Sequence, residues 1–281
     1  MVNDCSMFTY VQSLIACAAL FLIGSCASVP FLKHISPGLS YERIVTDHGQ
    51  TIHVATIDST RYQLTLYKTQ KSELKPVSLV AQENHAIFAI NAGFFTKEGD
   101  AVGMLKINGT IISKPNKKRG VFGWNHKGET FFDRLGIETN SKNLEATFGE
   151  NNWWNKADNI IGGAPLMLYN GQIIEVESEN TLTSFLSEQY ARTAVCVDAE
   201  NNVKLAVVNG GDRNTNKMGT IEGMSIQELA QFMKEQGCLH ALNLDGGYSS
   251  SFVYEGVRQN SFSAAFVGER PVATMILVSH R

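Results

Sequence analysis

Asn243-Leu244-Asp245-Gly246-Gly247-Tyr248-Ser249-Ser250 is the stretch of this 281-residue chain best equipped for chemistry. A carboxylate followed by two glycines and several hydroxyls can meet a ligand at close range, because glycine lets the main chain approach it. Such a carboxylate can stabilise a developing cation, take a proton from water or hold a divalent cation. Asp-Gly is equally the strongest short hairpin signal, so a plain turn is the competing reading. Asn91-Ala92-Gly93-Phe94-Phe95 repeats the pattern of a polar residue and a glycine after an apolar run. Asn91 either caps a turn or joins a site, and the paired phenylalanines read as core packing. Arg192 opens another apolar run; an arginine at a strand edge is most often a solvated cap. No Cys or His spacing fits a zinc site, and no His pair stands at i, i+4.

The elements that must carry these residues are mostly strands. Ser225 followed by Glu228 predicts a capping box, and Ile226, Leu229, Ala230, Phe232 and Met233 form a helical apolar stripe that Gly237 ends. Leu239–Leu244 then has strand length and delivers Asp245 to a strand end. Ile52, Val54 and Ile57 with Tyr62, Leu64, Leu66 and Tyr67 predict two strands around Asp58-Ser59-Thr60. Further strands are predicted at 86–90, at 193–197, at 205–208 and at 272–278, with a short helix around Leu79-Val80-Ala81. Residues 100 to 135 read as short antiparallel strands turned at Asn108-Gly109 and Lys127-Gly128. Adjacent Trp153 and Trp154 cannot both point inward from a strand; either one stacks on a sugar ring or the pair packs under a loop. The predicted class is α+β: a mostly antiparallel or mixed sheet, few helices packed on it, and one cleft at the strand ends.

Five short motifs in order resemble the phosphodiester glycosidase domain family, which takes in a lysosomal enzyme and bacterial secreted proteins. They are Asn91-Ala92-Gly93-Phe94-Phe95, Gly162-Gly163-Ala164-Pro165-Leu166, Arg192-Thr193-Ala194, Asn243-Leu244-Asp245-Gly246-Gly247 and Gly268-Glu269-Arg270-Pro271-Val272-Ala273. Together they cover about residues 50 to 279. The resemblance implies a hydrolase of glycosyl phosphodiesters with Asp245, Arg192 and Asn91 as catalytic residues. It also implies a substrate cleft formed by Gly93, Gly162, Gly163, Asp212, Gly246, Gly247, Ser249 and Arg270. Arg192 and Arg270 would bind phosphate, and Asp245 would face the sugar. No cofactor is then required, although a divalent cation such as calcium could sit on Asp245. The chain departs from the family in two places: Tyr248 replaces a usual third glycine, and Asn209-Gly210-Gly211-Asp212-Arg213 stands where Asp-Gly-Arg is common. The competing functions are a non-catalytic glycan-binding lipoprotein and a metal-dependent phosphodiesterase.

The first 26 residues read as a lipoprotein-type signal segment. Leu14–Ile23 is apolar, and Ile23-Gly24-Ser25-Cys26 resembles a lipobox with Cys26 as the lipid attachment point, although no Lys or Arg precedes the run. Residues 27–49 read as a tether and 50–281 as the phosphodiester glycosidase-like domain. The implied location is the cell envelope, anchored by lipid to the membrane: the outer one in a Gram-negative source, or a secreted or periplasmic state if the lipobox is unused. The implied substrate is a carbohydrate phosphodiester in an envelope or extracellular glycan. A formal charge of −3 with 18% charged residues gives no support to nucleic-acid binding, which usually shows a basic face. Cys196 and Cys238 could pair in an exported protein, but two buried free thiols are the preferred reading.

Overall fold

Alternating apolar residues and glycine turns favour antiparallel pairs, and the structure is built from them. The computed structural model describes residues 31–139, 143–176, 179, 181–210, 223–261 and 268–281. The described strands, numbered along the chain, form three sheets. The first runs Phe31–Ser36 (β1), Leu39–Val45 (β2), Thr51–Asp58 (β3), Asn202–Val208 (β15), Arg192–Asp198 (β14), Cys238–Asn243 (β16), Leu166–Tyr169 (β12) and Gln172–Ile173 (β13). The second runs Leu144–Ala146 (β10), Thr130–Ile137 (β9), Arg119–Trp124 (β8), Asn159–Gly162 (β11), Leu105–Ile107 (β6) and Thr110–Ser113 (β7). The third runs Val257–Arg258 (β18), Phe252–Tyr254 (β17), Phe88–Asn91 (β5), Thr274–His280 (β19) and Tyr62–Lys68 (β4). The pairings between them are antiparallel.

One apolar core joins the three sheets. Leu39, Ile57 and Val195 of the first meet Phe122 and Trp124 of the second and Phe88, Ile90 and Ile276 of the third. Helices cover outer faces. Helix α3 (Ile226–Glu235) packs Ile226, Leu229, Ala230, Phe232 and Met233 against Ala194, Cys196 and Ala206. Each large apolar side chain buried this way contributes about 2 kcal/mol. The capping box forms as predicted: Glu228 N–H donates to Ser225 Oγ at 3.2 Å, and Ser225 N–H donates to Glu228 Oε2 at 2.7 Å. Helix α1 (Val77–Glu83) lies on the third sheet through Val77, Val80 and Ala81. Helix α2 (Thr183–Ser187) buries none of its residues fully.

Two expectations change, and one open choice, packing or sugar stacking for Trp153 and Trp154, is decided. The segment expected as a tether, 27–49, contains β1 and β2, which extend the first sheet through Tyr41↔Ala55 and its neighbours. Leu39 and Tyr41 alternate into the core, a short period-2 signal within a polar stretch. Cys196 and Cys238 are joined in a disulfide, with Cα atoms 5.9 Å apart, so they are not free thiols. Their strands β14 and β16 are neighbours, and a register shift pairs Asp198 with Cys238, bringing the two sulfurs together under α3. Trp153 and Trp154 are both buried, because they lie on a single 3-10 turn and not on a strand. Trp153 stacks on Phe131 and donates to Asp133 Oδ2 at 3.0 Å, which leaves neither ring as a sugar platform.

Candidate functional site

Four strand ends meet at one place: the end of β5, the start of β14, the end of β16 and the start of β19. Asp245 lies just beyond β16, where the chain leaves the first sheet for β17 in the third. This crossing rules out the hairpin reading, since β16 and β17 do not pair with each other. The loop is nevertheless tight. Gly247–Ser249 forms a 3-10 turn, and Gly247, with φ +60°, takes a left-handed conformation that favours glycine. Gly246 is pressed against the main chain, where an added Cβ would meet Ala191 O at 2.8 Å.

Asn91 is the brace beneath this loop. Its Nδ2 donates to Asp245 O at 2.6 Å, and its Oδ1 accepts from Thr193 Oγ1 at 2.8 Å and from Ser251 N–H at 3.0 Å. Thr193 Oγ1 also reaches Ser250 Oγ at 3.2 Å. The main chain of Asp245 donates to Ala92 O at 2.9 Å, and Leu244 donates to Thr193 O at 2.8 Å. Asn91 is buried, so it shapes the loop from below.

The chemical face consists of Asp245, Ser249 and Arg270. Asp245 is partly exposed. Desolvation by the surrounding protein pushes its carboxyl from 3.8 up to about 6, against the opposing pull of the Ser249 hydroxyl, the Arg270 charge and the Gly246 N–H. Arg270 Nη1 donates to Ser249 Oγ at 2.7 Å, and its guanidinium lies 5.2 Å over the Phe95 ring. A carboxylate, a hydroxyl and a cation thus stand in line. Phe95 serves as the floor for the arginine as well as packing into the core beside α1. Tyr248 is exposed next to them.

Arg192 is elsewhere. Period-2 alternation puts it on the same face of β14 as Ala194 and Cys196, under the helices, while Thr193 points to Asn91. Its Nε donates to Met224 O at 2.7 Å, and its Nη2 donates to Phe185 O at 2.8 Å and Glu188 O at 2.9 Å. The rings of Phe185 and Tyr190 flank it, and burial lowers it to about 10, so it stays charged. Two of its three nitrogens are spent on main-chain carbonyls, so the fork expected to clasp phosphate instead ties α2 to the start of α3. Gly93, Gly162 and Gly163 are buried rather than open to a cleft. An added Cβ would strike Ile161 Cδ1 at 2.7 Å, Met104 N at 3.0 Å and Asn243 O at 2.3 Å respectively, so these glycines allow close strand packing. Asp212 and Cys26 lie outside the described residues.

Thr193, Ser250, Ser251 and Glu269 join the site without being named as functional residues by the motifs' spacing. Three consecutive serines after Asp245 were the only local signal for two of them. Among the described residues no group of three or more His, Cys, Asp and Glu side chains could hold a metal ion. A divalent cation on Asp245 would therefore have to complete its shell with oxygens other than clustered carboxylates, such as main-chain carbonyls or water.

A family model described as phosphodiester glycosidase matches residues 84–279. N-acetylglucosamine-1-phosphodiester alpha-N-acetylglucosaminidase of Mus musculus is 26% identical over 180 residues, 60% of this chain and 32% of the relative. The same enzyme of Bos taurus is 26% identical over 192 residues, 64% of this chain and 33% of the relative. The chain thus spans about a third of the length of these relatives. Among solved structures, a hypothetical protein from Synechocystis superposes with a TM-score of 0.73 at 20% identity, covering 91% of this chain and 65% of its own. The zebrafish N-acetylglucosamine-1-phosphodiester alpha-N-acetylglucosaminidase catalytic domain, auto-inhibited by pro-peptide, superposes with a TM-score of 0.66 at 20% identity, covering 92% and 85%.

Proposed function

The chain belongs to the phosphodiester glycosidase family, and on that premise we propose that it is a hydrolase that cleaves sugars from glycosyl phosphodiesters. The observation that carries this reading is the alignment of Asp245, Ser249 and Arg270, a desolvated carboxylate facing a guanidinium across a hydroxyl. In an ordinary glycosidase a second carboxyl must protonate the leaving alkoxide. A sugar joined through phosphate needs less proton donation, because the phosphate monoester leaves as a stable anion. Fixed positive charge on the phosphoryl oxygens then does most to lower the barrier. Arg270 can supply that charge. One of its nitrogens is anchored on Ser249, which leaves the rest of the fork to meet phosphate oxygens. Asp245, ionised above about pH 6, stabilises the oxocarbenium-like sugar and accepts the proton of the water that attacks the anomeric carbon. The bond from anomeric carbon to oxygen breaks, the water oxygen stays on the sugar, and the phosphate leaves with the bridging oxygen.

The reading extends to location and substrate. The Cys196–Cys238 disulfide supports an oxidising compartment, in keeping with export and lipid attachment at Cys26. Among the described residues no helix is long and apolar enough to cross a membrane. A cell-envelope or extracellular glycan linked through sugar-1-phosphate is the substrate class that this location would offer. The deciding experiment presents purified protein with defined sugar-1-phosphodiesters in oxygen-18 water and reads free sugar. Label in the sugar supports the reaction. Label in phosphate would replace it with phosphodiesterase chemistry, and binding without release would leave a glycan-binding protein.

A further inference from the structure

A second carboxylate beside the site takes no part in this scheme. Glu269 precedes Arg270, and its donors come from distant parts of the chain. Ser78 N–H reaches Oε1 at 3.2 Å and Oε2 at 3.3 Å, the Ser78 hydroxyl also donates to Oε2, and the Ser251 hydroxyl donates to Oε1 at 2.5 Å. Ser78 lies in the first turn of α1, whose N-cap Pro76 makes no side-chain cap. Ser251 ends the serine run that follows Asp245. On the other side of Arg270, Val272 N–H donates to Lys75 O at 2.9 Å and Lys75 N–H to Val272 O at 3.3 Å. Arg270 is therefore bracketed by two residues fastened to the same stretch, Lys75–Ser78.

We propose that Glu269 is a positioning residue for the reaction: by binding Ser78 and Ser251 together, it holds Arg270 against Ser249 and Asp245 so that cation and carboxylate meet the substrate as one preformed unit. The proposal rests on the hydrolase reading above. An arginine side chain is long and rotatable, so fixing its main chain on both sides and its tip on Ser249 sets its orientation before substrate arrives. A carboxylate is the group this junction requires. Three N–H and O–H donors converge on two oxygens, and the amide of glutamine would turn a donor of its own toward one of them. Ser251 N–H is in turn bonded to Asn91, so the clamp reaches the brace under Asp245.

The test is a carbon-13 NMR titration of the Asp245 carboxyl, which needs no substrate. Arg270, Ser249 and the Gly246 N–H are the described groups that act on that carboxyl. Arg270→Met should raise its midpoint by about one unit or more, the effect of losing a nearby opposite charge. Glu269→Asp keeps the charge but shortens the reach, and should raise the midpoint in the same direction by about half as much. Ser78→Ala should give a smaller shift of the same sign, and carries the test if Glu269→Asp does not fold. With a cleavable sugar-1-phosphodiester, Glu269→Asp should lower kcat about tenfold with KM within about threefold. An Asp245 midpoint unchanged in Glu269→Asp and Ser78→Ala, while Arg270→Met moves it, would overturn the proposal. So would an unchanged midpoint in Arg270→Met, because Glu269 would then have no pair to set. If the wild type cleaves no sugar phosphodiester, the hydrolase reading fails while the titration still decides the role of Glu269.

Discussion

Asp245→Asn should make the protein more stable as it makes it inactive. The native carboxyl holds its proton up to about pH 6, whereas its ordinary value is 3.8. Between those values the unfolded chain binds fewer protons than the folded one, so stability falls as pH rises through the window. Two units at about 1.4 kcal/mol each give roughly 3 kcal/mol, and partial exposure of the carboxylate brings the expected effect to about 2–3 kcal/mol. Asparagine never ionises and escapes this cost. Chemical denaturation of the two proteins should give nearly equal stabilities at pH 4. At pH 8 the variant should be ahead by about 2–3 kcal/mol, with a Tm about 3–6 °C higher. Its turnover should fall by at least about a hundredfold. Wild-type turnover should itself rise through about pH 6. A variant less stable at pH 8, or displaced equally at every pH, would refute the desolvation argument. Retained turnover would remove Asp245 from the reaction.

Arg192→Met should strand the carbonyls of Met224, Phe185 and Glu188 and cost about 3 kcal/mol or more, while turnover per folded molecule falls less than about tenfold. A folded variant with hundredfold lower kcat/KM would return Arg192 to the chemistry. Cys196→Ala with Cys238→Ala opens a link across 42 residues, worth at most about 4 kcal/mol of chain entropy, and denaturation with and without reductant measures it. Cys26→Ser should release the protein from membranes or leave an unprocessed precursor; unchanged fractionation of an unlipidated protein would rule out the anchor. Activity should survive dialysis against a chelator, and loss restored by calcium would install a metal at Asp245.

The helix before the site was legible because its signals are local: Ser225, Glu228 and the apolar stripe all act within three turns. Asp245 was legible as a strand end but ambiguous as a turn, since the sequence does not say that β17 leaves for another sheet. The side of β14 that Arg192 faces follows from alternation with Ala194 and Cys196. Which side holds the cleft depends on where Asn91 arrives, 102 residues away from its partner Thr193. The disulfide was hidden for the same reason, because neighbouring strands and a bulge bring its halves together. Glu269 had no signature of its own: its meaning lies in Ser78, 191 residues earlier. Of the residues named by motif resemblance, Asn91, Asp245, Ser249 and Arg270 gather, while Arg192 turns to the other face of its strand.

Strand β19 lies between β5 and β4, in the interior of the third sheet, although the other described strands precede it in the sequence. Until it docks, β5 has an open edge where its partner should be, and Ala92 and Gly93 lack their bonds to Thr274. Such distant pairings form late and slowly. The Asn91 brace under Asp245 is therefore fully seated only when this strand arrives, whatever fraction of the other sheets has already assembled. Damage to β19 would open the middle of the third sheet instead of trimming an edge, and through β5 it would reach the loop of Asp245.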